Sequence, residues 1–403
     1  MTDTIAQEEA IAIRLHSQQL LNPLFERAED VVGWMGMIQA QDYGYFRWAI
    51  GMRMRSPKME TVKACFSSGK IVRLHLLRCT VQAVAAEDYP WMHALCKERN
   101  LSTIKSWPSY NRTEFSEQYY EEAAEVLRNI LVCGKAITKK CIGEELTRQG
   151  LPGDLAHTSQ IVLRGEIEGL LVSGDMLDHD ATWTLAENHD CRLSTDKALS
   201  VLARKYFRSH SPASLADFCW WTGLPITQNR KAVQLIASEL EEVKIQGETM
   251  LVYKTRFVED YLSRPAIAKP LQTANEKSVI LLPPYDEYLI GYKSRWIALE
   301  KRHEPKAHNR FGIFHPVILY NGKVVGNWKT SLAQKAKDIE TDVFAKNGKL
   351  EQDGWNRPKT YCVIFTDNCL QYLLADSLNG IFMLNPSRHF CRSNTSHFLC
   401  LLC

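Results

Sequence analysis

The sequence lacks most of what would send it to a membrane or bind it to a metal. No apolar stretch approaches the ~18 residues of a membrane span. The first ten residues, MTDTIAQEEA, are polar and acidic, so no secretory leader is expected and a cytoplasmic protein is. Cysteines are numerous, 12 in all, but they lack pairing. Cys65, Cys79, Cys96, Cys133, Cys141 and Cys219 stand singly in apolar or helical settings, which suits small core residues better than a disulfide framework. The close pair is CLLC at 400–403, and His389 and His397 do not complete a zinc set around it. No metal and no cofactor are expected. Charge of one sign is missing too: 49 Lys and Arg against 46 Asp and Glu leave a net charge of +3. Such a mild balance does not establish a nucleic-acid partner, because clustering is what matters. Basic spots do occur at KYFRSH 205–210, NRK 229–231, KSRW 293–296 and KRHEPKAHNR 301–310. Each taken alone reads more readily as an ordinary solvated face than as a binding site.

What is present is the composition of a globular protein, 45% hydrophobic and 24% charged over 403 residues. That length suits two to four compact units. AEDVVGWMGMIQAQD reads as a helix through Val31, Val32, Met35 and Ile38, and ETVKACFSSG as a second helix stopped by Gly69. KIVRLHLLRCTVQAV reads as one strand or two paired ones, and EDYPWMHALCKERN returns to helix. Further helices cover 117–134, 138–150 (with Thr138 as N-cap) and the run to Gly169, followed by a short hairpin in MLDHDATWTLAE. The order then recurs: helices over 195–212, 214–225 and 227–240, and a hairpin in VKIQGETMLVYK turned at Gln246-Gly247. Three helices and a two-stranded wing are the layout of a winged-helix unit, in which the third helix enters the major groove. Gln228, Asn229, Arg230 and Lys231 at the start of that third helix are therefore candidate DNA contacts. Past about residue 270 strands take over, with Asn321-Gly322 marking a hairpin and a lysine-rich helix expected around SLAQKAKDIETDVFAKN.

The expected fold is α+β and mainly α, with tandem winged-helix domains at 1–115, 116–192 and 193–268. A β-barrel-like domain is expected at 269–385, before an atypical tail at 386–403.

One string stands apart. MIQAQDYGYFRW (37–48) carries Gln39 and Gln41 one residue apart before an acid and an aromatic cluster. Either they satisfy loose backbone groups at a helix end, or they hold a water or an oxygen-rich ligand without supplying charge. Asp42 is a helix cap or a charge added to such a site. Arg47, Arg73 and Arg78 are candidate phosphate contacts. Trp220-Trp221 read as helix core, Asp286 as a structural carboxylate or a supporting site residue, and His75, His157 and His179 show no catalytic partner at a recognisable spacing.

Together these segments resemble the AlkZ-like winged-helix DNA glycosylases, whose signature is Gln–apolar–Gln. The resemblance rests on QAQ (39–41), KIVRLHLLRCT (70–80), AAEDYPWM (85–92), SPASLADFCWWTGL (211–224), LLPPYDEYLIGYKSR (281–295) and GIFHPVILYNGKVVGNWK (312–329). It implies a monomer cupping duplex DNA and a monofunctional glycosylase that releases N7-alkylated purines, with interstrand crosslinks as a further substrate. Gln39 and Gln41 would be the catalytic pair, with Asp42 and Asp286 as support. This chain departs from the family by carrying Gln82 where relatives often have histidine, and Cys79 where Gly or Pro is usual.

The chemistry agrees with the absence of a catalytic acid. An N7-alkylated purine is cationic and leaves as a neutral base, so protonation of the leaving group is unnecessary. What remains is to position water and to face a developing sugar cation with acceptor oxygens, which glutamine amides supply. The competing reading is a DNA-binding regulator without catalysis, since a fold does not fix a function. Such a regulator would be expected to dimerise on a palindromic site, whereas tandem units favour a monomer.

Overall fold

The computed structural model describes residues 3–56, 58–108, 110, 115–178, 180–187, 191–255, 258, 279–330, 339–344, 361–366 and 369–374. A short strand, β1 (Asp3–Thr4), and helix α1 (Gln7–Ser17) come first. A set of six elements follows: α2 (Ala28–Met35), β2 (Ile38–Gln39), α3 (Tyr43–Gly51), α4 (Met59–Ser67), β3 (Ile71–His75) and β4 (Val81–Ala85). The linking helix α5 (Tyr89–Lys105) leads to a second set in the same order: α6 (Glu117–Ile130), β5 (Ile137–Thr138), α7 (Lys139–Arg148), α8 (Leu155–Glu168), β6 (Leu171–Ser173) and β7 (Thr182–Leu185). The sheets correspond as well, with orders β2-β4-β3 and β5-β7-β6. A third set is built from α9 (Thr195–His210), α10 (Leu215–Thr222), α11 (Ile226–Leu235), β8 (Leu240–Ile245) and β9 (Glu248–Tyr253). Here Ala213, bridged to Leu251, stands where the other sets have their first strand.

Local chemistry explains why these segments fold as they do. Thr138, Ser116, Asp154 and Ser194 each accept a main-chain N–H in the first turn of α7, α6, α8 and α9. Ser214 and Asp217 form a reciprocal capping box on α10. The hairpin between β8 and β9 turns through Gln246 (φ 49°) and Gly247 (φ 86°), a pair of positive φ angles that matches the twist of the flanking strands.

After the third set come β10 (Val279–Leu282), α12 (Glu287–Ile290), α13 (Glu304–Ala307), β11 (Val317–Tyr320), β12 (Lys323–Thr330), β13 (Ile339–Val343), β14 (Tyr361–Thr366) and β15 (Cys369–Leu374). The Asn321-Gly322 turn has φ values of 47° and 76° and joins β11 to β12 as expected.

Several expectations need correction. The described strands of this region form an open antiparallel sheet, β10-β11-β12-β13, with β14 and β15 paired separately; no closed barrel exists among the described residues. Ile339–Val343 is a strand on the edge of that sheet, not part of a lysine-rich helix; residues 331–338 lie outside the described residues. The third helix of the third set stops at Leu235, short of 240. The tail at 386–403 with its CLLC, and His179, also lie outside the described residues. The amino-terminal segment does not join the first set: β1 pairs in parallel with β8, and α1 packs its Ile11, Ile13 and Leu15 among Val243, Leu282, Tyr288 and Leu319.

The position of the first set follows from its two faces. Val31, Val32, Met35, Ile38, Phe46, Ile50, Ile71 and Ala83 form its own core. Met37, Leu74 and Val84 instead join Leu199, Leu202, Tyr206, Phe218 and Trp221 of the third set. Trp48 meets Trp328 of the carboxy-terminal sheet, ring centroids 4.9 Å apart. The segment carrying the two glutamines is therefore held on several sides.

Candidate functional site

Residues 37–41 do not continue helix α2. Helix α2 closes at Met35, and Gly36 adopts φ 85°, a conformation open to glycine at no steric cost. The chain then extends. Ile38 pairs with Ala83 and Gln39 with Gln82 on β4, and the Ala40 N–H donates to Val81 O at 3.0 Å. Extended backbone alternates its side chains, so Ile38 and Ala40 enter the core while Gln39 and Gln41 share the other side. Gln39 is 8% exposed and Gln41 is exposed. Gln39 Nε2 donates to Gln41 Oε1 at 3.3 Å, so the two amides form one polar unit running from a buried Gln39 to an exposed Gln41.

The backbone beneath them is clamped from both flanks. Arg73, on β3, donates through Nε to Ala40 O at 2.7 Å and through a terminal nitrogen to Gln41 O at 3.2 Å. Its other terminal nitrogen donates to Ser173 Oγ at 2.7 Å, and its guanidinium lies 4.2 Å from the centre of the Tyr43 ring. From the opposite side, Glu287 Oε1 accepts the Gln39 N–H at 3.1 Å. Glu287 Oε2 accepts the Trp221 indole N–H at 3.1 Å and faces His210 Nε2 at 3.4 Å. Burial lowers the pKa of His210, with Glu287 opposing, so a neutral imidazole at neutral pH is the expected form.

The other sequence candidates separate clearly. Asp42 caps α3, its Oδ1 accepting the Gly44 and Tyr45 N–H groups at 2.8 and 2.9 Å. Asp286 is buried in a two-point pair with Arg53, at 2.9 and 2.7 Å, and its Oδ1 also caps α12. Within that string it is the neighbouring Glu287 whose carboxylate bonds the motif backbone. Arg73 is 6% exposed and fully engaged, so it is a clamp on the motif rather than a phosphate contact. Asn229 is 0% exposed; it donates to Leu224 O and Pro225 O and accepts from Thr222. That tie buries it at the corner between α10 and α11, with no side-chain surface left for an external ligand. Lys231 is exposed and pairs with Asp196 at 2.6 Å; Arg230 is exposed and Gln228 half-buried. Arg47 donates to Tyr43 O at 2.7 Å and is half-buried.

Arg78 behaves differently. It adopts φ 59° on the turn between β3 and β4, and its Nε is buried with no hydrogen-bond partner among the described residues. The guanidinium lies 5.9 Å from the Trp220 ring, and Arg295 approaches the same ring at 5.6 Å. Burial pushes Arg295 down to about 10. Trp220 is 40% exposed while Trp221 is fully buried, so the expectation that both are core holds for Trp221 alone.

Sequence reasoning also missed a histidine–carboxylate pair. His75 Nδ1 lies 2.5 Å from Glu166 Oε2, across 91 residues, and Trp183 Nε1 donates to Glu166 Oε1 at 2.6 Å. Although burial raises the Glu166 pKa, His75, Trp183 and Arg73 outweigh it and hold the carboxyl below its usual value. No spacing could have revealed this pair, since the partners lie in different sets of elements. His157 is paired too, with Asp154 at the cap of α8. Among the described residues no group of three His, Cys, Asp or Glu side chains is arranged to hold a metal ion.

Residues 32–348 match the family model described as DNA glycosylase AlkZ-like. The interstrand DNA cross-link repair glycosylase of Streptomyces sahachiroi is 23% identical over 337 residues, covering 77% of this chain and 85% of that protein. The solved structure of the Streptomyces sahachiroi DNA glycosylase AlkZ superposes with a TM-score of 0.66 at 20% identity, over 86% of this chain and 93% of that one. It shares the mixed α+β fold. The match extends well beyond the glutamine motif, and the chain belongs to the AlkZ-like family of DNA glycosylases.

Proposed function

We propose that this glycosylase is monofunctional and hydrolyses the N-glycosidic bond of N7-alkylated, cationic purines in duplex DNA, with Gln39 and Gln41 positioning the water. The observation that carries the reading is the amide pair itself: two uncharged side chains joined at 3.3 Å, open to solvent at Gln41, over a backbone clamped by Arg73 and Glu287. Rigid support of this kind is what a positioning mechanism requires, and well-oriented groups can supply about 7–11 kcal/mol.

In this reaction the bond from C1′ to the purine nitrogen breaks, and its electron pair neutralises the cationic base. The water oxygen bonds to C1′ and its proton passes to solvent. The glutamine carbonyls hold the water and face the positive charge developing on the sugar; no cofactor is called for. Because the relative from Streptomyces is described as a cross-link repair glycosylase, unhooking of interstrand crosslinks is proposed as a second activity.

The three sets of elements are read as winged-helix domains within 1–115, 116–192 and 193–268, the first beginning at α2, followed by a β domain at 269–385, cupping one DNA duplex as a monomer. The repeated element order and the repeated sheet order support that reading. Arg78, whose Nε lacks a hydrogen-bond partner among the described residues, is a proposed phosphate contact; Arg47, Gln228, Arg230 and Lys231 complete the proposed DNA-facing set.

The test is release of N7-methylguanine from duplex DNA by the wild type beside Gln39→Ala and Gln41→Ala, with and without a chelator. The expected result is release by the wild type in both conditions, and collapse in the variants while DNA binding persists. A wild type that binds DNA but releases no alkylated purine would overturn the reading.

A further inference from the structure

Gln82 lies directly across the sheet from Gln39. Opposed residues of an antiparallel pair share a face, with Cβ atoms about 4.5–5.5 Å apart. Gln82 is 1% exposed, yet its Oε1 is buried with no hydrogen-bond partner among the described residues. A buried acceptor left open is costly and rare in folded proteins, and it calls for a donor.

The local hydrogen bonds fix which end of this amide is open. Thr80 Oγ1 donates its proton to Leu77 O at 3.2 Å, so towards Gln82 that oxygen can only accept. Gln82 Nε2 donates to it at 3.3 Å. The amide nitrogen is thereby held at the turn that carries Arg78, and the carbonyl is the free end. Gln39 Nε2 uses one N–H on Gln41 Oε1 and keeps a second to give.

We infer that Gln82 is a positioning residue for the glycosylase reaction: its carbonyl binds one water molecule that accepts the second N–H of Gln39. The relay runs from Leu77 O through Thr80 and Gln82 to that water and then to Gln39. With both N–H groups of Gln39 engaged inward, on the water and on Gln41, its carbonyl oxygen is turned to the open side, where an acceptor must face the attacking water and the sugar. The inference rests on the proposed role of Gln39. An imidazole at 82 could fill the same place only when neutral, because its protonated form has no acceptor. An amide at 82 keeps the relay independent of pH.

The experiment compares wild type, Gln39→Ala, Gln82→Met and Gln82→His in single-turnover release of N7-methylguanine, with DNA affinity and melting temperature measured in parallel. Gln82→Met preserves volume and removes the open acceptor. The expected result is a fall of at least tenfold in the rate of release, with DNA affinity unchanged and the melting temperature equal or higher. A variant that melts higher and releases the base at the wild-type rate would show Gln82 to be a packing residue and overturn the inference, while a collapse in Gln39→Ala alone would leave the glycosylase reading intact.

Should Gln82→Met fail to fold, Gln82→His decides. Its rate should rise with pH through the imidazole range, about 6.5, where the wild type stays flat; a flat profile in the variant overturns the inference. No release by the wild type overturns the underlying reading and this inference with it.

Discussion

The main-chain N–H of Gln39 donates to the carboxylate of Glu287 at 3.1 Å, across 248 residues of sequence. Strand β2 is only two residues long, and the N–H of its second residue points away from β4. Left buried, that group would cost about 1–3 kcal/mol. Glu287 satisfies it and in the same stroke fixes Trp221 and faces His210. The motif is thus tied to the third set of elements and to the carboxy-terminal region through one side chain.

Arg73 and Arg78 sit five residues apart and should respond differently to substitution. Arg73→Ala frees the Ala40 and Gln41 carbonyls; release of alkylated base should fall about 100-fold, as expected for a loss of positioning near 1 Å. Its salt dependence of DNA binding should stay that of the wild type. Arg78→Ala should instead weaken binding and reduce the salt slope by about one. Affinities measured over a salt series, beside single-turnover rates, separate the two.

The Arg53–Asp286 pair has side chains 0% and 2% exposed, with Gln18 Oε1 accepting a further Arg53 N–H at 3.0 Å. Removing one partner strands a buried charge. Asp286→Ala should destabilise the protein by about 3–5 kcal/mol, read from denaturant unfolding. The double replacement Arg53→Met with Asp286→Leu should recover a large part of that loss.

His210 makes stability depend on pH. Burial depresses its pKa in the fold, so below about 6.5 the unfolded chain takes up a proton that the folded chain refuses. Stability is therefore full above that pH and falls as pH drops, at up to about 1.4 kcal/mol per pH unit from this group. His210→Gln should flatten the slope between about pH 5 and 6.5, whatever it does to absolute stability. Thermal melts across that window check it.

Asp42 follows the second glutamine and caps α3. Asp42→Ala should cost about 1 kcal/mol, whereas Asp42→Ser retains an acceptor and restores most of it. Release of alkylated purine by the serine variant should match the wild type. A serine variant of normal stability and lost activity would instead assign the carboxylate to the chemistry.

Much of this was legible in the chain. Helix caps such as Thr138 and Asp42, the Asn321-Gly322 turn and the stop at Gly169 are local effects, decided within a few residues, and local sequence encodes them. The QAQ string could be singled out because uncharged amides are unusual before an acid and an aromatic cluster. What no local pattern encoded was the partner of each polar group. Arg73 and Asn229 read as DNA contacts because an arginine or asparagine advertises hydrogen-bonding capacity but not its direction. Folding turned Arg73 onto the motif backbone and Asn229 into a buried corner. Likewise YDEY offers two adjacent acids, and only the tertiary structure decided that Asp286 pairs with Arg53 while Glu287 holds Gln39. The sequence determined which residues could carry the chemistry. Long-range packing, which must satisfy every buried donor and acceptor, decided which of them were spent on internal partners and which were left available to a ligand.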